Sequence, residues 1–263
     1  MIDFNESRVL GRTGLTVSRM GLASGYNVPA AAVHKAIDEH GINYFYWDRR
    51  RPGMGSAIRD ISRTRRQDIH IAVQSYDHLG FWLMVSVELA LKKLGIDYAD
   101  ILFLGWHGSM PSDRVMEAAE RLKACGKVRF LGFTGHNRKF HGRMAKDPQS
   151  PFDVQMVRYN AAHRGAESDV FEGLPVDRPG IVSYTATRWG RLLNPKKVPP
   201  GEKPLTAAEC YRFVLSNPAV DICLIGPKSI NEFDQGIKAL REGPLGEEEM
   251  QRIRRLGDFV HGY

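Results

Sequence analysis

The chain has 263 residues, a formal net charge of +7 and an isoelectric point near 9.4. That length suffices for one sizeable core, and a single α/β barrel of roughly 250 residues would use all of it. Its three cysteines, Cys125, Cys210 and Cys223, are scattered and odd in number, with no CxxC, so neither a disulfide framework nor an iron–sulfur or zinc knuckle is supported.

The amino terminus carries acids and no apolar run, so no signal peptide is expected. No segment approaches the roughly 20 apolar residues of a membrane span. These features read as a soluble, cytoplasmic protein with no membrane partner. Basic residues concentrate at Arg49–Arg51, at Arg63, Arg65 and Arg66, and at Arg252, Arg254 and Arg255. They form no stripe with interleaved aromatics, so no nucleic-acid partner is expected, and one anion-attracting pocket explains the charge more simply.

In chain order, Arg8–Leu10 and Leu15–Ser18 read as a small hairpin, and eight apolar or β-branched runs follow. They are Met20–Ala23, Tyr44–Trp47, Ile69–Val73, Ile101–Leu104, Phe130–Phe133, Val154–Val157, Ile181–Tyr184 and Ile222–Ile225. Amphipathic stretches lie between them, such as Ala30–His40, Trp82–Leu94, Arg114–Ala124, Ala207–Leu215 and Ile230–Leu240. Leu83, Val87, Leu91 and Leu94 recur at helical spacing, which gives that helix one apolar face. A last helix spans Glu247–Val260. The loop Arg188–Pro204 carries four prolines and several basic residues, and long loops at such places are often functional. Strands alternating with helices imply parallel pairing, and eight units close the sheet. The expectation is one (β/α)8 TIM barrel domain over residues 1–263, its hairpin plugging the bottom and its active site at the carboxyl ends of the strands.

Several segments resemble the aldo/keto reductase superfamily in order from Arg8 to His261. They are the opening Arg8–Leu22, Gly41-Ile-Asn-Tyr-Phe, Glu88-Leu-Ala-Leu-Lys-Lys-Leu-Gly-Ile-Asp-Tyr-Ala-Asp-Ile, and Gly126-Lys-Val-Arg-Phe-Leu-Gly-Phe-Thr-Gly-His. Gln155, Tyr159 and Asn160 are matched to its Q-x-x-Y-N, and Leu224-Ile-Gly-Pro-Lys-Ser resembles its phosphate-binding turn. The family pattern G-x-N-x-F-D-T-A-x-x-Y-G, however, puts Tyr46 and Arg51 at the carboxylate and tyrosine positions. The family lysine falls at Gln74 and its histidine at Gly105. Carbonyl reduction needs a positioned acid for the developing alkoxide, so ordinary reduction by the family's tetrad is disfavoured.

Polar groups reappear two residues beyond three of these positions, at Asp48, Tyr76 and His107, and His136 follows Thr134 by two. A step of two keeps a strand residue on its face, displaced by about 6–7 Å. The resulting expectation is a relocated acid–base site of Asp48, Tyr76 and His107, with Arg50 or Arg51 holding a substrate anion. Local pairing of Asp48 with the arginines and helix capping by His107 are the plainer alternatives. A metal held by Asp48, His107 and His136 is weighed and not adopted.

By resemblance, Lys228 and Ser229 match the family's 2′-phosphate pair, Thr134 lies in its nicotinamide-amide segment, and Gln155 and Tyr184 match residues beneath the nicotinamide. Ser229 also reads simply as a helix N-cap, and a lysine at a helix start favours anions. Glu232 nearby would weaken a phosphate by like charge. NADP is the expected cofactor, with none as the alternative. Trp47, Trp106 and Trp189 follow strand ends and are expected to wall a small-molecule substrate; Tyr44 and Trp82 are expected to pack. Two functions stand at this point: a divergent barrel enzyme for a small polar or aromatic substrate, and a catalytically inactive ligand-binding or regulatory barrel.

Overall fold

The computed structural model describes residues 3–48 and 52–262. Two short strands, β1 (Arg8–Val9) and β2 (Thr16–Val17), pair antiparallel as the expected hairpin. The remaining strands are β3 (Met20–Ala23), β4 (Tyr44–Trp47), β5 (His70–Ser75), β6 (Ala99–Leu104), β7 (Val128–Thr134), β8 (Val154–Arg158), β9 (Gly180–Tyr184) and β10 (Ile222–Ile225). They pair parallel and close in the order β10-β3-β4-β5-β6-β7-β8-β9. This is the (β/α)8 barrel that the alternation implies, and closure leaves no strand edge to be capped.

The helices are α1 (Ala30–His40), α2 (Pro52–Arg65), α3 (Gly80–Leu94), α4 (Asp113–Ala124), α5 (Arg138–Lys146), α6 (Ala207–Leu215), α7 (Ile230–Glu242) and α8 (Glu247–His261). In α3, Leu83, Val87, Ala90, Leu91 and Leu94 are buried, and Gly95 ends the helix at φ +66°, a left-handed cap that costs glycine little. Thr206 and Glu209 close a reciprocal capping box at the start of α6. Two helices, α2 and α5, lie outside the stretches read from periodicity. Each has a weak signal: α2 carries two glycines, and α5 has only nine residues, started by Asn137 Oδ1 accepting from the Phe140 amide at 3.2 Å. The loop after β9 contains two 3-10 turns, at Arg191–Leu193 and Pro195–Lys197. No helix among the described residues is long and apolar enough to cross a membrane.

Alternation divides the strand side chains into two cores. Phe45, Trp47, Val73, Leu102 and Leu131 point outward to the helices. Tyr44, Ala72, Ile101, Phe103, Val154, Met156, Val182, Ile222 and Leu224 fill the interior, where Leu10, Leu15 and Val17 of the hairpin plug the lower end. Buried apolar area at roughly 25 cal/mol per Å² makes these layers the main source of stability.

Charge is gathered at the amino ends of the strands. Asp221 accepts two hydrogen bonds from Arg178, both at 2.7 Å, and one from the Ile181 amide at 2.8 Å. Asp100 repeats the device, accepting from Arg66 and the Ile71 amide at 2.8 Å each and from Arg129 at 2.9 Å. Asp153 accepts from the Leu131 amide at 3.0 Å. In each case a carboxylate leading into one strand clasps the neighbouring strand's backbone. The bottom of the barrel is thereby ionic and fixed, which leaves the opposite mouth to chemistry.

Candidate active site

The floor of the mouth is built by three adjacent strands. Tyr46 on β4 and Gln74 on β5 sit on the inward face near the carboxyl ends, and Gly105 follows β6 directly. The Tyr46 hydroxyl donates a short hydrogen bond to Gln74 Oε1. Tyr76, one same-face step beyond Gln74, brings its phenol to the hydroxyl of Tyr46. Burial, then the neighbouring Tyr76 and Asp48, hold Tyr46 well above the ordinary phenol range. It therefore stays protonated at neutral pH. Burial likewise raises Tyr184, whose hydroxyl meets that of Thr134.

Above this floor lies a cavity of about 420 Å³. Its walls include Tyr26, Tyr46, Gln74, Tyr76, Trp106, Thr134, His136, Met156, Tyr184, Thr187, Trp189 and Tyr211. Among the described residues lining it there is no carboxylate, lysine or arginine. The reacting part of a ligand here would meet phenols, an amide and aromatic faces. The rim is conformationally unusual. Trp106, Thr185, Arg188 and Trp189 all have φ between +50° and +62°, a region costly for any residue with a Cβ and rare for a β-branched one. Such strain clusters at functional sites.

The expected site residues divide clearly. Tyr76, Trp106, His136, Trp189, Thr134 and Tyr184 all line the cavity. His107 does not. The left-handed turn at Trp106 interrupts the alternation on which its placement rested, so Trp106 faces the cavity at 69% exposure while His107 is 7% exposed. His107 stacks on His78 with ring centroids 4.4 Å apart, and burial followed by the His78 charge pushes it down to about 4. Asp48 is half-buried beside Tyr46, with its amide donating to Ser24 Oγ at 2.8 Å, and it is not a lining residue. Asp48, His107 and His136 form no metal cluster among the described residues. Arg50 and Arg51 lie outside the described residues.

Two further expectations are corrected by the direction of the strands. Trp47 points outward, is 1% exposed and belongs to the helix-facing core, so it is no part of the substrate wall. Gln155 also points outward, its Oε1 meeting His141 Nδ1 at 2.9 Å. Met156 is the β8 residue that faces the cavity. Four positions separate Gln155 from Tyr159 where the Q-x-x-Y-N pattern has three, and the extra residue moves the glutamine to the other face. Trp82 was expected to pack and is 54% exposed, whereas Tyr44 is fully buried. Tyr26, from the turn after β3, and Tyr211, from α6, were missed; an aromatic shortly after a strand end was the available signal only for Tyr26.

A second cleft of about 270 Å³ adjoins the first, and Tyr26, Thr187, Trp189, Tyr211 and Gly226 border both. It runs to Lys228 and Glu232 at the start of α7. Ser229 Oγ caps the Glu232 amide at 3.1 Å, and Glu232 Oε2 accepts from the Lys228 amide at 2.8 Å. The helix start is thus cationic through Lys228 and partly filled by the protein's own carboxylate.

The aldo/keto reductase family model matches residues 27–203, which carry most of the barrel and of the mouth described above. The chain belongs to the aldo/keto reductase family. Among the family's members, the oxidoreductase YqkF of Bacillus subtilis is 24% identical, over 95% of this chain and 95% of its own. L-galactose dehydrogenase of Arabidopsis thaliana is also 24% identical, over 90% and 88%. Solved structures agree in fold. The holo form of aldo-keto reductase AKR11C1 from Bacillus halodurans superposes with a TM-score of 0.80 at 22% identity, covering 95% of this chain and 96% of that one. An aldo-keto reductase from Klebsiella pneumoniae, solved in complex with NADPH, gives 0.77 at 21%, covering 98% and 96%.

Proposed function

We propose that this chain is a divergent aldo/keto-reductase-like enzyme that acts on a small aromatic or polar-substituted compound in the mouth cavity, with Tyr76 as its proton-donating or hydrogen-bonding residue. The observation that carries this reading is the convergence of Tyr46, Gln74 and Tyr76 on the cavity floor. The Tyr46 hydroxyl is committed as a donor to Gln74, so its oxygen is left to accept from Tyr76, and the two phenols form a chain ending at the amide. A substrate oxygen seated on this floor would take the Tyr76 hydroxyl proton over from Tyr46, which keeps its own bond to Gln74. No lysine among the described lining residues lowers the phenol's pKa, so proton transfer to a strongly basic oxygen would be slower than with an activated tyrosine.

The two joined clefts fit a dinucleotide in outline. Tyr184, Tyr211, Tyr26 and Thr187 would flank its nicotinamide half, and Lys228 with Ser229 would meet a phosphate at α7. A bound reduced nicotinamide supplies hydride. The cofactor assigned in this reading is NADP, held weakly because Glu232 already occupies the Lys228 amide. That same contact favours the second reading, a ligand-binding barrel without turnover.

The test is oxidation of NADPH and NADH by the full chain with a panel of aromatic aldehydes, ketones and quinones, alongside tryptophan-quenching titrations. Turnover should fall by about 10²-fold in Tyr76→Phe, the usual scale for losing a positioned acid. Binding of nucleotide with no turnover on any of these compounds would overturn reduction as the reaction and favour changed chemistry or the second reading.

A further inference from the structure

Beside a cavity with no charged lining side chain among the described residues stands a cation, Arg158, with no counter-charge among them. Arg158 ends β8, in the same alternating set as Val154 and Met156, which fill the barrel interior. Its register partner across β9 is Tyr184, a cavity residue, and paired residues on adjacent strands project to one side. Arg158 is half-buried, and among the described residues it makes no hydrogen bond or ion pair. Carboxylates in this half of the chain are engaged by other arginines. Asp169 is taken by Arg138 at 2.6 Å, Glu167 by Arg254 at 2.9 Å and by the Tyr159 hydroxyl at 2.7 Å, and Asp258 by Arg164 at 2.6 Å.

Further positive charge converges on the same corner. Arg188, 7% exposed, donates to the Val260 carbonyl at the end of α8, and the charges of Arg158 and Arg191 act on it. Arg158, Arg188 and Arg138 all bear on His163, which burial and these cations push down to about 4 and so keep uncharged. Cations gathered in a partly desolvated place repel one another, and a bound anion offsets that cost. The planar guanidinium fork suits a carboxylate in particular.

We infer that Arg158, supported by Arg188, forms a subsite for a carboxylate carried by the substrate, so that the ligand of the mouth cavity is an aromatic or apolar carbonyl compound with an acid group at one end. The anion belongs to the substrate rather than to a nucleotide because the nucleotide-sized groove leaves the cavity on the other side of β9, toward Lys228 on α7. This inference rests on the reading of the cavity as the substrate site.

The experiment titrates the full chain with 4-formylbenzoate and its neutral isostere 4-formylbenzamide, following the fluorescence of Trp106 and Trp189. The acid is expected to bind at least tenfold more tightly than the amide. In Arg158→Met that ratio should collapse toward one, and in Arg158→Lys, which keeps the charge and loses the fork, it should be intermediate. NADPH affinity should be unchanged in both variants, which also reports that they remain folded. Equal binding of acid and amide by the unaltered chain would overturn the proposal. So would a preference that survives in Arg158→Met, or a variant that weakens NADPH in place of the acid. The titration needs no turnover: a chain that prefers the acid and never reduces it would sink the enzymatic reading while keeping the subsite.

Discussion

Tyr76 occupies the volume that Gly105 leaves open. A Cβ at position 105 would stand 2.6 Å from Tyr76 Cδ1 and 2.6 Å from Gln74 Nε2, closer than real Cβ contacts come. The absence of a side chain on β6's continuation and the presence of a phenol on β5's are therefore one structural fact. Gly105→Ala should force Tyr76 and Gln74 aside at a cost of about 1–3 kcal/mol, the range for overpacking a filled site. In a Tyr76→Ala background, where the Gln74 side chain can swing into the vacated volume, the same change should cost less, giving a coupling of about 1–2 kcal/mol. Urea midpoints of the four proteins in this cycle test the idea, and simple additivity would refute it.

The barrel was legible because its signal is redundant: eight runs, each alternating with a helix, allow only a few closures. The floor of the site was legible where a strand runs straight. β5 continues its alternation from Gln74 to Tyr76, and both face the cavity. It was illegible where the backbone turns. Nothing in the residue type of Trp106 announces φ +59°, and that one dihedral exchanges the places of Trp106 and His107. Trp47 was readable in principle, since a strand that sends Tyr44 and Tyr46 inward must send Trp47 outward. The Gln155 placement failed by a single residue of register, which on a strand is a whole change of face. Tyr211 comes from a helix distant in sequence, and only the fold brings it to the mouth.

Glu232 at the start of α7 should set nucleotide preference. Its carboxylate accepts from the Lys228 amide at 2.8 Å, at the place where a phosphate would be bound. Both residues are exposed, so solvent screens the repulsion to about 1 kcal/mol at contact distance. Glu232→Gln should raise NADPH affinity by about fivefold and leave NADH nearly unaltered. Lys228→Met should lower NADPH affinity. Equal shifts for the two nucleotides in Glu232→Gln would show that the carboxylate does not face the 2′-phosphate.

Stability should begin to fall on mild acidification, above the range in which carboxylates titrate. His107 and His141 are both pushed down to about 4, chiefly by burial, against an ordinary value of 6.5. A group with a depressed folded value is protonated first in the unfolded chain, so its contribution is complete above pH 6.5 and declines as pH falls toward 4. Each histidine should withdraw on the order of 3 kcal/mol across that window. Asp100, which burial would raise but which His70, Arg66 and the Ile71 amide hold down to about 2, adds its loss only below about pH 4. Chemical denaturation at half-unit steps between pH 7 and 4 measures the slope. His141→Gln should remove about one proton's share of it, and a flat profile would contradict the burial of both rings.

His107 discriminates most sharply between a relocated acid–base site and the phenol floor. As an acid–base residue it would need to reach the cavity and titrate near neutrality. The ring instead stacks on His78, its Nε2 buried with no hydrogen-bond partner among the described residues, and it stays uncharged above about pH 4. His107→Ala should accordingly lower stability by about 1–3 kcal/mol through lost packing. It should loosen the turn that presents Trp106, visible as a change in tryptophan fluorescence, while turnover on any substrate found stays within about tenfold of the unaltered chain. Tyr76→Phe should show the opposite pattern, near-native stability with turnover reduced by about 10²-fold. If His107→Ala instead loses turnover by that factor at unchanged stability and fluorescence, the proton donor is the histidine, and the cavity must open toward it when substrate binds.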